Sequence, residues 1–283
     1  MEWGTMKVGS TKVAVNLSNA YTSAVVVASI QYNNNTIPVV TRISRVTGSS
    51  FDIQLQSAGF GTVVEDNVNY LVVEEGQHTI ELEGGIQLIV EAQKYNSSVT
   101  DEKFSWRGHR QTYLTAHFNP VVVGQVMSTN DPKWSVFWDR GPRRNAPPSP
   151  RALFTGKTSC EDFVTDRVAE TIGFIVFEEG HGTMNGVEFE AKLGDDTIRG
   201  IHESPPFVYT FNTSFVTGAP AIAVVSKAGV DGNNGGWAYV YGPHPTTAST
   251  LDLAIDDDTI GDAERSHTTE QVAYVVFSSP GSA

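Results

Sequence analysis

The sequence predicts an all-β protein built from three tandem antiparallel β-sandwich modules. Three observations predict this fold class. Apolar and polar residues alternate with a period of two in segments such as Lys12–Leu17 and Phe51–Gln56, as in strands with one buried face. No long segment has the 3.6-residue period of an amphipathic helix. Two apolar motifs also recur about every 100 residues along the chain.

The first motif is a continuous apolar run, which is typical of a strand buried on both faces. Its copies start 96 and 100 residues apart and read AVVVASIQY, PVVVGQVMS and PAIAVVSKA, at Ala24–Tyr32, Pro120–Ser128 and Pro220–Ala228. The second motif has starts 104 and 100 residues apart and reads YLVVEEG, FIVFEEG and YVVF, from Tyr70, Phe174 and Tyr274. Because both motifs share one period, we divide the chain into module 1 (residues 1–83), module 2 (84–186) and module 3 (187–283).

Module 2 contains a proline-rich insertion at residues 141–151, with the sequence GPRRNAPPSPR. Proline has no N–H to donate to a strand ladder, so the insertion is not a strand. We expect an exposed loop at Pro142–Pro150 whose deletion changes stability little, because closing a surface loop costs entropy that grows slowly with its length.

The charge of the chain narrows its range of partners. A formal net charge of −13 opposes binding to nucleic acid and to anionic lipid, both of which need clustered basic residues. No apolar run approaches the roughly 18 residues of a membrane span. We therefore expect neither a nucleic-acid partner nor membrane insertion. The N-terminal residues lack the basic and apolar character of a signal peptide.

No residue pattern in the sequence indicates an enzyme. The single cysteine, Cys160, has no histidine or basic neighbour in sequence that would make it a nucleophile, and it cannot form an internal disulfide. There is no phosphate-binding loop, dinucleotide fingerprint or serine elbow. Paired carboxylates such as Glu74–Glu75 and Glu178–Glu179 follow from the repeat. We predict a non-catalytic protein.

The order of the motifs resembles that of tandem H-type-lectin-like repeats in secreted microbial proteins. Module 1 contributes Gly4, Tyr21 and the SFDIQLQ strand at residues 50–56, and module 3 contributes HTTEQVAY at residues 267–274. The resemblance implies an antiparallel sandwich of about six strands in each module. It also implies a carbohydrate-binding or adhesive role, outside the cell or on a cell or virion surface.

The resemblance places a sugar-contacting arginine on a middle strand, and either Arg42 or Arg45 could occupy that position. The tryptophan–histidine pair that assists this arginine in H-type lectins is absent here. Ser57–Ala58 stands in its region in module 1, and Asp257–Asp258 in module 3.

Aromatic and polar residues near predicted loops provide a second set of candidate ligand contacts. Sugar rings stack on aromatic side chains, while amides and carboxylates bind their hydroxyl groups. Cross-strand packing is the alternative interpretation of alternating aromatic residues. The candidates in modules 2 and 3 are Trp134, Trp138, Asp139, Asn233, Asn234, Trp237, Tyr239 and Tyr241.

Three consecutive carboxylates, Asp256, Asp257 and Asp258, make calcium the one cofactor that we consider. Carboxylate oxygens are the ligands that calcium prefers, but the spacing of an EF-type loop is absent. The alternative is a solvated hairpin loop. His267 and Glu270 lack a third zinc ligand at a suitable spacing, so we expect them to stabilise a turn.

Two functions follow from these observations. The first is a set of carbohydrate-binding or adhesive modules with a glycan or polysaccharide partner. The second is a self-assembling structural subunit of a fibre, surface or virion. In either case the short links between modules predict close packing, as a ring or as a rod. We expect the rod, since the three copies have diverged too far to make equal pairwise contacts.

Overall fold

The computed structural model describes residues 1–283. Strands form all of the regular structure except one three-residue 3-10 turn at Ile201–Glu203. The predicted all-β class is therefore confirmed. The first third of the chain forms β1 (Glu2–Val8), β2 (Val13–Asn16), β3 (Ala24–Tyr32), β4 (Val39–Ser44), β5 (Ser50–Ser57), β6 (Asp66–Glu74) and β7 (Gly76–Glu81). The middle third forms β8 (Gln87–Ser97), β9 (His109–Gln111), β10 (Pro120–Val126), β11 (Val136–Arg140), β12 (Leu153–Thr158), β13 (Glu170–Glu178) and β14 (Gly180–Met184). The last third forms β15 (Val187–Leu193), β16 (Phe207–Thr210), β17 (Ile222–Ala228), β18 (Trp237–Tyr241), β19 (Thr250–Asp256), β20 (Gln271–Phe277) and β21 (Gly281–Ser282).

Three sets of six strands pair in the same order. We name them set 1 (β1–β6), set 2 (β8–β13) and set 3 (β15–β20). Their inner sheets run β3-β6-β1, β10-β13-β8 and β17-β20-β15, and their outer sheets run β4-β5-β2, β11-β12-β9 and β18-β19-β16. The strand after each set extends an inner sheet, so β7 pairs with β8, β14 with β15 and β21 with β1. The predicted boundaries at residues 83 and 186 lie in the turns that follow β7 and β14.

Neighbouring sets share sheets. The outer sheet of set 3 joins the inner sheet of set 1 through parallel pairing of β18 with β3, and the outer sheet of set 2 joins set 3 through β11 and β17. Side chains connect set 1 to set 2 instead. The Gln125 amide donates to the Thr41 carbonyl at 3.3 Å, and the Thr41 hydroxyl donates back to the Gln125 amide oxygen at 3.1 Å. The three sets therefore close into a ring.

The centre of the ring is apolar. The strands β3, β10 and β17 contact one another pairwise. Alternate side chains of β3 face different cores: Val25 and Val27 lie in the central core, whereas Val26 and Ile30 lie between the two sheets of set 1. The central core continues with pairs from the other two strands, Val121, Val123, Ile222 and Val224. Burial on both faces explains the continuous apolar runs in the sequence. The expected rod is wrong, because a rod cannot bring all three strands into one core.

Buried carboxylates at the start of β6 and β13 and immediately before β20 hold the loops that follow the central strands. Asp66 accepts hydrogen bonds from the backbone N–H of Asn34 at 2.8 Å, and Glu170 from that of Asp131 at 2.9 Å. Glu270 accepts them from the N–H groups of Asp231 and Gly232 at 3.0 and 2.9 Å. This repeated arrangement satisfies backbone donors that the ladders leave unpaired.

The proline-rich insertion is not a strand, as predicted, but it is only partly exposed. Pro148 is buried, and the Tyr113 hydroxyl donates to the Ser149 carbonyl at 3.0 Å. The Arg144 carbonyl accepts the N–H of buried Val230 in set 3 at 2.9 Å. Residues 142–145 and 150 are exposed, as expected for this loop, and the backbone of the insertion also binds set 2 to set 3.

Candidate functional site

Most of the predicted aromatic contacts lie in the interior. Trp134 packs edge-on against Trp237 with ring centroids 5.7 Å apart, and both side chains are buried. The Tyr239 hydroxyl exchanges hydrogen bonds with the backbone of Val39, accepting its N–H at 2.8 Å. These three rings connect sets 1, 2 and 3. Their burial matches the interpretation of these aromatic residues as packing residues, which needs no ligand.

Two further predicted aromatic residues also pack against rings. Trp138 is buried on the outer face of β11, where it contacts Trp106 edge-on at 5.7 Å. Tyr241 is half-buried and stacks on Tyr32 at 6.2 Å. Tyr241 is therefore the only one of the five predicted aromatic side chains that reaches solvent to a substantial extent.

The predicted arginines have structural partners. Arg42 is buried between sets 1 and 2, where it donates to the Asp131 carbonyl at 2.7 Å and to the Gln56 amide oxygen at 2.8 Å. Arg45 is exposed and forms an ion pair with Asp52. Arg42 belongs to a repeated feature of the ring, since Arg144 donates to the Asp231 carbonyl and Arg265 to the Thr36 carbonyl. Each of these three arginines reaches a loop of the next set.

The Asp256–Asp258 run is buried, so its interpretation as a solvated hairpin loop is wrong. Asp256 accepts two hydrogen bonds of 2.7 Å from Arg265. Asp258 accepts the N–H groups of Glu161 and Ile260, both at 2.9 Å. Burial raises the pKa of Asp258 to about 6. The local sequence does not predict this burial, because the partners of these carboxylates lie in a later turn and in another set.

An ionisable cluster surrounds Asp257 between sets 2 and 3. His267 lies with its Nε2 3.6 Å from Asp257, and Lys227 lies with its ammonium 3.3 Å from Glu270. Burial lowers the pKa of His267 to about 4 and raises the pKa of Asp257 well above its ordinary value. The histidine is therefore neutral near pH 7. All four side chains are buried, so the cluster is closed to a substrate in solution.

Asp139 is also buried, and burial raises its pKa well above the ordinary value. Neither of its carboxylate oxygens has a hydrogen-bond partner. The neutral, protonated form of Asp139 is therefore the one that the interior favours. No group of three or more histidine, cysteine or carboxylate side chains is arranged to hold a metal ion. The calcium interpretation of Asp256, Asp257 and Asp258 stays a prediction.

The two predicted asparagines lie near the surface and have side-chain partners. Exposed Asn233 accepts a hydrogen bond from Arg144, and half-buried Asn234 donates to Glu264 at 3.1 Å. Both residues therefore hold the loop that follows β17 against its neighbours. A ligand at this loop would have to compete with these contacts.

An open groove between set 1 and set 3 gathers amide side chains that sequence reasoning missed. It has a volume of about 410 Å³ and adjoins a second hollow of about 260 Å³. Gln31 and Asn67 line both parts, and exposed Asn33 and Asn34 line the larger part. Ligand pockets in proteins commonly have volumes of about 300–1,000 Å³. A cavity of about 60 Å³ where β3, β10 and β17 meet is too small for a saccharide.

Backbone contacts fix the amides of the groove. Asp66 accepts the N–H of Asn34 at 2.8 Å, and the Asn34 amide donates to the Glu65 carbonyl at 2.9 Å. Gln31 donates to the carbonyls of Gly242 and Pro243, both at 3.1 Å, and its amide oxygen accepts from Asn67 at 3.3 Å. Asn33 and Asn67 use only their amide NH2 groups in side-chain hydrogen bonds, so their amide oxygens keep free acceptor capacity. The sequence signal for this site is the run Asn33–Asn35 together with Asn67 and Asn69, which join only through the β3–β6 pairing.

The fold and the surface define a closed all-β ring with an amide-lined groove. Comparison of the chain with protein-family models, with curated proteins and with solved structures found no match in any of the three. No helix in the structure has the length and apolar character needed to cross a membrane.

Proposed function

We propose that the chain is a non-catalytic carbohydrate-binding protein, built from three H-type-lectin-like sandwich modules that close into a pseudo-trimer. The groove between set 1 and set 3 carries this proposal. Four exposed or half-buried amides, Gln31, Asn33, Asn34 and Asn67, surround an open volume of about 410 Å³. The amide oxygens of Asn33 and Asn67 make no hydrogen bond within the chain and can accept from the hydroxyl groups of a sugar.

Preorganisation strengthens this assignment. The Asn33–Asn35 loop is held by Asp66 and by the Asn35 side chain, which bonds with the Val64 carbonyl and N–H, both at 2.8 Å. A ligand therefore binds groups that are already ordered, and little conformational entropy is lost on binding. The resemblance to secreted microbial repeats supports a location outside the cell or on its surface.

A glycan array and titration calorimetry test the proposal on the full chain, with and without calcium. We expect a neutral oligosaccharide to bind, and Asn33→Ala and Asn67→Ala each to weaken binding at least about tenfold, since each removes one direct polar partner. Asn119→Ala is the matched control, because Asn119 is an exposed asparagine far along the chain in set 2 whose side chain makes no hydrogen bond. The absence of binding to every neutral glycan at millimolar concentration would refute the function, and equal effects of all three variants would refute the site.

Exposed aromatic residues favour a second candidate function, self-assembly as a structural subunit. Phe104 and Phe163 are 68% and 62% exposed and flank Lys103, whose ammonium lies 5.9 and 5.1 Å from their ring centroids. Large exposed rings are a feature of surfaces that bind other proteins. Light scattering over a wide concentration range tests this candidate. We expect association that Phe163→Ser abolishes, and a constant monomer mass would eliminate self-assembly.

A further inference from the structure

Arginine is concentrated in one part of this acidic chain. Six of its eleven arginines lie between residues 107 and 151: Arg107, Arg110, Arg140, Arg143, Arg144 and Arg151. Lys133 raises the number of cationic residues in this stretch to seven, against two acidic residues, Asp131 and Asp139. The stretch therefore has a formal charge of +5, and the rest of the chain has −18. Both acidic residues are buried, so neither screens the arginines at the surface.

The outer sheet of set 2 arranges these arginines in a row. Arg110 on β9 and Arg140 on β11 stand directly opposite Phe154 on the middle strand β12. Residues directly opposite each other in a sheet share one face, so the row reads Arg110, Phe154, Arg140. The Arg140 guanidinium stacks on the Phe154 ring at 4.0 Å and donates to the Trp106 carbonyl at 3.2 Å. The row is thus fixed in position on the outward face of the sheet.

An open cleft adjoins this row. It has a volume of about 700 Å³ and runs between the loop after β9 and the end of the proline-rich insertion. Arg110 and Arg151 line it together with the hydroxyl-bearing residues Thr112, Tyr113 and Thr115. The Arg110 guanidinium approaches the Arg151 carbonyl at 3.5 Å, which places the Arg110 side chain beside the backbone of Arg151.

These arginines lack anionic partners. No carboxylate lies within 4.0 Å of the charged groups of Arg107, Arg110, Arg143 or Arg151, although each of the four is exposed. These cations repel one another, and a carboxylate close to them would reduce that repulsion. The chain has an excess of carboxylates, with a net charge of −13, yet none pairs with these four arginines. The cleft is therefore an open site for an anion. A guanidinium binds carboxylate and sulfate groups through two parallel hydrogen bonds, and the threonine hydroxyls add neutral partners.

We propose that this cleft binds the carboxylate or sulfate groups of an acidic saccharide, at a site separate from the amide groove. The proposal rests on the proposed carbohydrate-binding function for the class of ligand only. A short acidic saccharide fits better than a nucleic acid duplex, because a long polyanion would meet the −18 charge of the remaining chain beyond the cleft.

Titration of the full chain with four probes tests the proposal. The probes are a uronate oligosaccharide, a sulfated oligosaccharide, inorganic sulfate and a single-stranded oligonucleotide. We expect one or both acidic saccharides to bind more tightly than sulfate or the oligonucleotide, with affinity that falls as salt rises. The two saccharides distinguish carboxylate from sulfate as the source of the anion.

Variants of the cleft arginines locate the site. Arg110→Ser and Arg151→Ser together should weaken binding of the acidic saccharide at least about tenfold, and Arg110→Lys should cost part of this because it keeps the charge and loses the bidentate geometry. Arg199→Ser is the control, since Arg199 is an exposed arginine of set 3 that pairs with Glu203. It should change affinity less than about twofold, as expected for a distant exposed charge screened by salt.

Three outcomes would overturn the proposal: no acidic saccharide binds at millimolar concentration, the control weakens binding as much as the cleft variants, or the oligonucleotide binds most tightly. The outcome for the amide groove is separate. Loss of neutral-glycan binding in Asn67→Ala with acidic binding intact supports both sites. Acidic binding without any neutral binding refutes the groove alone, and neutral binding without acidic binding refutes the cleft alone.

Discussion

Arg265 forms a buried ion pair with Asp256 inside set 3 and connects set 3 to set 1 through hydrogen bonds to Thr36 and Tyr32, so its replacement provides the sharpest test of the ring. Its guanidinium donates to both oxygens of Asp256 at 2.7 Å, to the Thr36 carbonyl at 2.8 Å and to the Tyr32 hydroxyl at 2.9 Å. Arg265→Met keeps most of the aliphatic volume but removes the cation. Asp256 would then remain buried without its partner.

Arg265→Met should lower the free energy of unfolding strongly, because both charges of the ion pair are buried. Removal of one partner of a buried ion pair costs about 3–5 kcal/mol, and the unpaired Thr36 carbonyl adds roughly 1 kcal/mol. We expect the free energy of unfolding at pH 7.5 to fall by about 5 kcal/mol, which for a chain of this size lowers the Tm by on the order of 10 °C. Urea unfolding followed by tryptophan fluorescence measures the difference.

The loss of stability in Arg265→Met should depend on pH. Burial raises the pKa of Asp256, and Arg265 is the main group that lowers it again. Without Arg265 the carboxyl group takes up a proton at higher pH. A folded pKa above the unfolded value gives stability that is present at low pH and lost as pH rises. The cost of Arg265→Met should therefore be smaller at pH 5 than at pH 7.5.

Two controls separate a buried pair from a general charge effect. Arg199→Met removes an arginine whose pair with Glu203 is partly exposed, and should cost less than about 1 kcal/mol. The double variant Arg265→Met with Asp256→Leu should recover much of the loss, since no uncompensated charge remains. The reasoning fails if Arg265→Met costs no more than Arg199→Met, or if its cost is the same at pH 5 and pH 7.5.

Three further predictions concern the interior of the ring. The pKa of Asp258, about 6 against roughly 3.9 in an unfolded chain, means that its stabilising effect is full below pH 4 and is lost as pH rises through 6; between pH 4.5 and 7.5 the free energy of unfolding should therefore fall more in wild type than in Asp258→Asn, and equal slopes would contradict the assignment. Burial raises the pKa of the Cys160 thiol, so a disulfide reagent should react with the folded chain at least about a hundredfold more slowly than with the chain in urea, and equal rates would show that Cys160 is exposed. Deletion of residues 142–150 should cost about 1–3 kcal/mol, because the N–H of Val230 loses its acceptor, the Arg144 carbonyl; a loss near zero in calorimetry would mean that the insertion is a free loop.

The sequence predicts the strands better than their arrangement. The apolar run Val25–Ile30 identifies a strand buried on both faces, and the structure places its alternate residues in two different cores. What the run cannot show is which core each face meets. The pairing of β18 with β3 joins residues more than 200 positions apart, such as Val240 and Gln31. No local sequence pattern shows which strands of different modules pair. The expectation of a rod was therefore made without any known contact between modules.

The candidate site was harder to predict than the fold because burial depends on distant partners. Asp256 to Asp258 look like the start of a polar loop at the end of a strand, yet Arg265 pairs with Asp256 and a loop of set 2 bonds to Asp258. Trp237 and Tyr239 look like a sugar platform but pack across the junctions between sets. The excess of arginine between residues 107 and 151 is visible in the sequence. The net charge of −13 for the whole chain hides it, because a global charge says nothing about local clustering.

The three sets keep one buried polar framework and differ at their surfaces. Asp66, Glu170 and Glu270 stand at equivalent positions and cap equivalent loops, so the backbone of each set is fixed by the same bonds. Surface residues do not contribute to this framework: set 1 presents amides around its groove, and set 2 presents arginines around its cleft. Substitutions at exposed positions away from buried contacts usually change stability by less than about 0.5 kcal/mol. The groove and cleft variants should therefore alter binding while leaving the unfolding free energy nearly unchanged, whereas any change at Glu270 should affect the whole ring.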